Sequence, residues 1–316
     1  MDKVTRAIDK PTHGSREWLR VRWHDEEGRA RISASVAAAV HNCHPYMSAG
    51  ALALELLAEE PPEPKEMNDD MKRGNTLEGP IRQWAADTKG IELYEPQVMY
   101  VYEEPGVRLI ATLDAVDMQD NVFEVKTVKR RWDGRLPEHW YWQGVQQAIC
   151  AGVDQIEWVI FDSSLRLHFH TQTVTSDEKG IHINACREFL AAIDKGDVPE
   201  WAQYDYDTVQ HRHSEPEEGK SIQLDAEHAE LLRQYANIKA HMDALKESED
   251  QIKARICNFL GDAELGIVDG EVACRWKQST RTSVDTKKLE KDHPVLVDKY
   301  RKTTSYRTFT VTKEKP

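Results

Sequence analysis

Leu113-Asp-Ala-Val-Asp117, followed six residues later by Phe123-Glu-Val-Lys126, is the stretch whose reading decides the fold. Side chains two apart on a strand share a face, so Glu124 and Lys126 point the same way. A hairpin turning at Gln119-Asp-Asn121 can then bring Asp114 to the same point. Two carboxylates beside a strand carbonyl, that of Val125, suit a hard divalent cation such as Mg²⁺. A lysine next to them can steer or deprotonate an attacking water, which completes the parts of a phosphodiester hydrolase. The same residues on exposed strands would be ordinary solvated charges, so their surroundings decide between the two readings.

Upstream, the small-residue stretch Ile32–Val40 reads as a helix that Ser33 or Ser35 is placed to cap. Ala49–Glu60 reads as another, ended by Pro61-Pro62. Leu77, Ile81, Trp84, Ala85 and Thr88 recur at helical spacing, with Gly90 as the closing residue. Val98–Tyr102, Val107–Leu113, Ala115–Met118 and Val122–Val128 are short, β-rich and punctuated by turn residues, and predict an antiparallel meander. Downstream come a helix over 139–152, strands over 156–161 and 165–174, and a helix over 178–193. This order predicts an α/β fold with a mixed sheet flanked by helices.

Three further motifs keep company with the acidic hairpin. Met71-Lys-Arg-Gly-Asn-Thr-Leu-Glu78 places a glycine and then a carboxylate in what reads as the first turn of a helix. Trp140-Tyr-Trp-Gln-Gly-Val-Gln-Gln147 puts Gln143, Gln146 and Gln147 on one side of a helix. Between hairpin and glutamine helix lies a basic strip, Lys126 to Arg135, where Lys129, Arg130, Arg131 and Arg135 interleave with Trp132, a pattern suited to phosphate contact and base stacking as well as to packing.

This ordered set resembles the PD-(D/E)XK nuclease superfamily, and within it the lambda exonuclease and YqaJ-like viral recombinase family, over roughly residues 15–200. The resemblance implies a PD-(D/E)XK (restriction-endonuclease-like) core. It implies Glu78, Asp114, Glu124, Lys126 and Gln146 as the active-site set, Gln147 being the main competitor of Gln146. Metal would be held by Asp114, Glu124, the Val125 carbonyl and Glu78. Trp18, Arg22 and Ser33-Ala34-Ser35 look like the family's N-terminal pattern, which carries 5′-phosphate binding onto Arg22 and Ser35. About nine residues, Trp23 to Arg31, are inserted there, and Thr112-Leu-Asp-Ala115 stands where the family has S-P-D-G. With Lys129, Arg130 and Arg131 as DNA contacts, the implied protein is a phage or prophage exonuclease using Mg²⁺ (or Mn²⁺) on duplex ends, 5′ to 3′. Its implied setting is strand annealing with an annealing partner, as a trimer, in the bacterial cytoplasm. An endonuclease or CRISPR-adaptation-type nuclease of the same fold, and a non-catalytic recombination scaffold, are the rival readings.

Net charge is −13 over 316 residues, with 40 % hydrophobic and 31 % charged residues. Charge is unevenly spread: from Val272 onward twelve Lys and Arg face five Asp and Glu, including Lys287-Lys288 and Tyr300-Arg-Lys302. An acidic total therefore does not exclude nucleic acid. The five cysteines form no CxxC pair, against a zinc ribbon, a disulfide framework or an iron–sulfur cluster. His41/His44 and His168/His170 have ligand-like spacing without Cys or carboxylate company. No apolar run is long enough for a membrane span. Residues 1–204 are expected to form the catalytic domain, 205–220 an acidic linker and 221–316 a helical and basic extension. The extension carries an a/d seam from Leu231 to Phe259 and a hairpin signal at Asp269-Gly270.

Overall fold

The computed structural model describes residues 4–61, 67–213, 215–280, 282–301 and 307–311. Pro62, Lys302 and the basic tail at 312–316 lie outside the described residues, as does the side chain of Lys287. Two compact units result, Met1–Arg212 and His213–Pro316.

The first unit runs β1 (Val4–Asp9), α1 (Arg16–Trp23), β2 (Ile32–Ser33), α2 (Ala37–Val40), α3 (Ala49–Leu57), α4 (Asp69–Lys89), β3 (Val98–Glu104), β4 (Val107–Ala111), β5 (Ala115–Val116) and β6 (Val122–Thr127). It continues with α5 (Glu138–Ala151), β7 (Gln155–Phe161), β8 (Leu167–Thr173), α6 (Ser176–Ile193) and α7 (Tyr206–Arg212). Two mixed four-stranded sheets form, in the orders β1-β3-β4-β2 and β5-β6-β7-β8. This is the expected α/β core with mixed sheets flanked by helices. The meander is corrected: β3 pairs with β4 and β5 with β6, both antiparallel, but the two hairpins belong to different sheets. The chain crosses between them at Thr112-Leu-Asp114. β6 then pairs in parallel with β7, from Val122↔Ile156 to Thr127↔Phe161, so β6 is a central strand.

Alternation along β6 builds both faces of its sheet. Phe123 and Val125 pack with Ile81 and Ala85 of α4, whereas Val122 joins Trp158, Ile160 and Val145 of α5 in the main core. Glu124, between them in sequence, is thereby turned toward α5. Gly144 lets α5 come close enough: a Cβ there would lie 2.2 Å from Gln172 Oε1 and 3.0 Å from the Trp158 ring. Such burial of large apolar side chains contributes about 1.5–3 kcal/mol each, which offsets the cost of seating charged groups between the layers.

Two helix boundaries differ from expectation. Asn68 caps α4 by accepting from the Met71 N–H at 2.9 Å, so the helix starts at Asp69 and Glu78 sits in its third turn rather than its first. Neither Ser33 nor Ser35 caps a helix; Ser33 precedes a 3₁₀ turn without a side-chain capping bond. The residues expected to begin the linker instead form α7, which packs on α3. Asp205 accepts from Ser48 Oγ and from Thr208, and Gly50 leaves room for the Thr208 hydroxyl. In the second unit α8 (Ala226–Leu260) is one 35-residue helix. β9 (Leu265–Val268) and β10 (Glu271–Arg275) pair as a hairpin whose turn residues, Asp269 and Gly270, both have positive φ. Short helices α9 (Thr286–Asp292) and α10 (Pro294–Tyr300) follow. No helix among the described residues is long and apolar enough to cross a membrane.

A buried polar chain crosses the core: His41 Nε2 lies 2.8 Å from His182 Nδ1, and His182 Nε2 lies 3.0 Å from Gln146 Oε1. Because Gln146 gives its amide hydrogens to two carbonyls, its oxygen accepts, which makes His182 a donor at Nε2 and an acceptor toward His41. His182 is thus fixed as neutral, and burial pushes both pKa values down, to about 4 for His41 and about 3 for His182. The unfolded chain protonates near 6.5, so this stability is complete above that value and is lost as pH falls toward the folded-state values. For His182 the slope approaches about 1.4 kcal/mol per pH unit, and half-buried His41 adds less. Urea midpoints of the first unit should therefore drop steeply between pH 6.5 and 4, and His182→Gln should flatten the drop; an equal slope in both proteins would contradict this account.

Candidate active site

At the junction of the two sheets, Asp114 follows Leu113 out of the first sheet and its Oδ2 accepts from the backbone N–H of Val125 at 2.9 Å. One strand pair thus fixes the carboxylate beside β6. Glu124, 2 % exposed, is held on both oxygens: Oε1 accepts from Lys126 Nζ at 2.7 Å and, in a closer contact, from the Gln143 amide, while Oε2 accepts from Gln147 Nε2 at 2.6 Å. Lys126 Nζ also stands 6.0 Å from the Trp140 ring centre and 5.9 Å from that of Trp158. These stacked indoles wall the ammonium in.

Glu78 approaches from α4, and Arg82 one turn on ties that helix to the site. Its Nη1 donates to the Asp114 carbonyl at 3.1 Å and lies 3.8 Å from Glu78 Oε1 and 3.6 Å from Glu95 Oε2. Lys10 of the chain just past β1 closes the network on Glu95 at 2.6 Å.

Electrostatically the cluster is over-supplied with negative charge. Burial, then the neighbouring Glu124 and Glu78, push the Asp114 carboxyl well above the usual carboxylate range, against the pull of Lys126. Burial followed by Glu124 and Glu95 also raises Glu78. Burial alone would lower the Lys126 pKa, but Glu124 and Asp114 outweigh it and the ammonium is held above its ordinary value. Lys126 pairs with Glu124 and Arg82 lies beside Glu78, while Asp114 is held by a backbone N–H, so the cluster favours further positive charge. Among the described residues no three His, Cys, Asp or Glu side chains form a ready-made metal cage. The donors do match an ion that binds through one or two carboxylates and takes its other ligands from water and substrate phosphate, as Mg²⁺ does.

Gln146 is a correction. It is fully buried and its amide donates to the carbonyls of Ile32 at 2.7 Å and Ile110 at 3.0 Å, away from Glu124. On a helix at 100° per residue Gln143 and Gln147 are only about 40° apart, and that pair grips the glutamate. The spacing was visible in the sequence and favours Gln147 over Gln146.

Arg22 and Ser35 come together despite the insertion. The inserted residues fold as a tight loop pinned by Asp25, whose carboxylate accepts from the N–H groups of Glu27 and Arg29 and pairs with the Arg29 guanidinium at 2.7 Å. The loop returns the chain beside α1, where Arg22 Nη2 donates to Ser33 Oγ at 3.0 Å and makes a shorter contact with Ser35 Oγ. Burial lowers the Arg22 pKa to about 10, which leaves it cationic at neutral pH, and its guanidinium lies 4.0 Å over Trp18. The basic strip divides. Lys129 pairs with Asp70 of α4 at 2.6 Å, while Arg130 and Arg131 are exposed. Trp132, Trp140, Tyr141 and Trp142 are partly buried against the main core. Neither histidine pair gathers as ligands: His41 bonds His182, and His168 bonds Asp162 at 2.9 Å.

Residues 17–154 match the family described as YqaJ-like viral recombinase domain. The uncharacterized protein YqaJ of Bacillus subtilis (strain 168) is 34 % identical over 98 residues, which is 31 % of this chain and 30 % of that protein. Among solved structures, an alkaline exonuclease (LHK-Exo) from Laribacter hongkongensis is 18 % identical with a TM-score of 0.45, over 57 % of this chain and 93 % of that one. A phage related exonuclease from Haemophilus somnus 129PT is 13 % identical with a TM-score of 0.37, over 53 % and 96 %.

Sequence reasoning missed Arg82, Lys10 and Glu95, because β1 and its partners join the site only through sheet pairing. It also missed His182, a lone histidine in an amphipathic helix. The two glutamines are separable by experiment. Gln146→Ala strands two buried carbonyls and should lower stability by about 2–4 kcal/mol. Gln147→Ala should cost less than half of that, because Glu124 keeps Lys126 and Gln143. Equal losses in urea unfolding would show that Gln147 is as structural as Gln146.

Proposed function

We propose that the first unit is a Mg²⁺-dependent deoxyribonuclease that degrades DNA from duplex ends, 5′ to 3′, in homologous recombination by strand annealing. The observation that carries this reading is the convergence of Asp114, Glu124 and Lys126 beside Glu78, within the residues that match the YqaJ-like viral recombinase domain. Asp114, Glu124 and the Val125 carbonyl would hold Mg²⁺, with Glu78 supporting them; Mn²⁺ has the same oxygen preference. Bound there, the ion supplies charge neutralisation to the scissile phosphate and helps to orient it.

The chain's own residues do the rest. Lys126, kept charged by its carboxylate neighbours, orients the attacking water and offsets the charge that grows on the phosphorane oxygens. Gln143 and Gln147 hold Glu124 so that both its oxygens keep fixed directions. The Trp140 and Trp158 rings limit water around the ammonium. Arg22 with Ser33 and Ser35 forms a cationic, hydroxyl-lined pocket suited to a terminal 5′-phosphate, and Arg130 and Arg131 lie free to meet the backbone of the duplex.

Purified protein with Mg²⁺ should shorten end-labelled linear duplex and spare closed circular duplex. Asp114→Ala and Glu124→Ala should each lower that activity at least about a hundredfold; cleavage of the circle at the same rate, or full activity in Asp114→Ala, would overturn the reading. Arg22→Ala should slow degradation of 5′-phosphorylated ends more than of 5′-hydroxyl ends, because a guanidinium gains most from a phosphate dianion. Equal losses on both ends would remove Arg22 and Ser35 from end recognition.

A further inference from the structure

Helix α8 carries an apolar seam that the described residues of the second unit leave uncovered. Ile238, Met242, Leu245, Ile252, Ile256 and Phe259 are 47 to 92 % exposed, and they occupy the a and d positions of successive heptads. At the start of the seam Phe309 sits edge-on to Tyr235 at 5.3 Å. Toward the end, α8 and β10 enclose an open groove of about 600 Å³, with Ile252, Ile256 and Leu260 on the helix side and Cys274 and Trp276 opposite. A helix of this length with an unburied stripe is not held by its own propensity; its stability comes from packing that stripe against something.

The flanks of the seam say what that is. In the heptad register set by Leu231, Tyr235 and Ile238, the three consecutive e positions are Lys239, Lys246 and Lys253, and the g row holds no carboxylate between Gln234 and Arg255. Lys253 and Arg275 also stand at the rim of the groove. Glu249 occupies an a position, paired at the surface with Lys246 at 3.0 Å. A second copy of α8 fits poorly: a parallel pair would face Glu249 with Glu249, and an antiparallel pair would face the lysine row with itself.

We propose that this face is a docking site for an amphipathic helix of a partner protein, with an apolar stripe flanked by Asp and Glu. The partner's carboxylates meet Lys239, Lys246 and Lys253, and its apolar residues fill the seam and the groove beside Trp276.

The test uses the full chain and two fluorescent synthetic helices of 28 residues, each with Leu at a and d and a Lys facing Glu249. One carries Glu at its e and g positions, the other Lys. By anisotropy the acidic helix should bind at least tenfold more tightly than the basic one, and more weakly as salt rises. Leu245→Glu should weaken it at least tenfold. The triple variant Lys239→Glu, Lys246→Glu, Lys253→Glu, which alters only exposed positions, should reverse the preference, and degradation of DNA ends should be unchanged. Equal binding of both helices, or binding of neither, would overturn the proposal. So would sedimentation showing that the wild-type chain pairs with itself and that Leu245→Glu makes it monomeric, because the occupant would then be a second copy.

Discussion

The first unit is organised around the burial of one carboxylate. Glu124 sits on a central strand with hydrophobic neighbours on either side in sequence, where an unpaired charge would cost several kcal/mol. The fold meets that cost with three donors, Lys126, Gln143 and Gln147, from the same strand and from the helix that covers it. Each demands something further. α5 must lie close, which Gly144 permits, and must keep its rotation, which Gln146 sets by tying it to the Ile32 and Ile110 carbonyls. The His41–His182 pair in turn fixes Gln146. Thus a glutamine that touches no reacting group is as firmly specified as the two that grip the glutamate.

Asp114 and Glu78 are pushed toward protonation by burial first and then by the charge of Glu124 beside them. On the function proposed above, the crowding is the purpose of the site. Residues that only stabilised the fold would be less repulsive, and functional sites are where a fold carries such strain.

The order of elements from α3 to α6, the alternation along Val122–Thr127 and the turn at Asp269-Gly270 were legible because each rests on local pattern. Most of the candidate site was equally legible: Asp114, Glu124 and Lys126 are joined by a hairpin of fourteen residues or fewer, so their meeting is a local event. What lay beyond reach depended on distant pairing. The sheet break at Thr112–Asp114 follows from β2 joining β4 in parallel, and the Lys10–Glu95–Arg82 network follows from β1 joining β3. The helical start at Asn68 was hidden because residues 69–76 hold a single large apolar side chain, Met71, and so show no helical periodicity. Arg22, Ser33 and Ser35 show the opposite case, where an insertion between them in sequence does not keep them apart, because Asp25 closes the inserted loop on itself.

The central claim is that the crowded carboxylates beside Lys126 form a site for a divalent cation. Calorimetric titration of Mg²⁺ into the wild-type chain and into Asp114→Asn at neutral pH tests it directly, since Asn keeps the shape and the acceptor for the Val125 N–H while removing the charge. The account predicts saturable Mg²⁺ binding by the wild type and binding at least tenfold weaker in a variant that remains folded. Equal Mg²⁺ affinity in the two proteins, or none in the wild type, would contradict it.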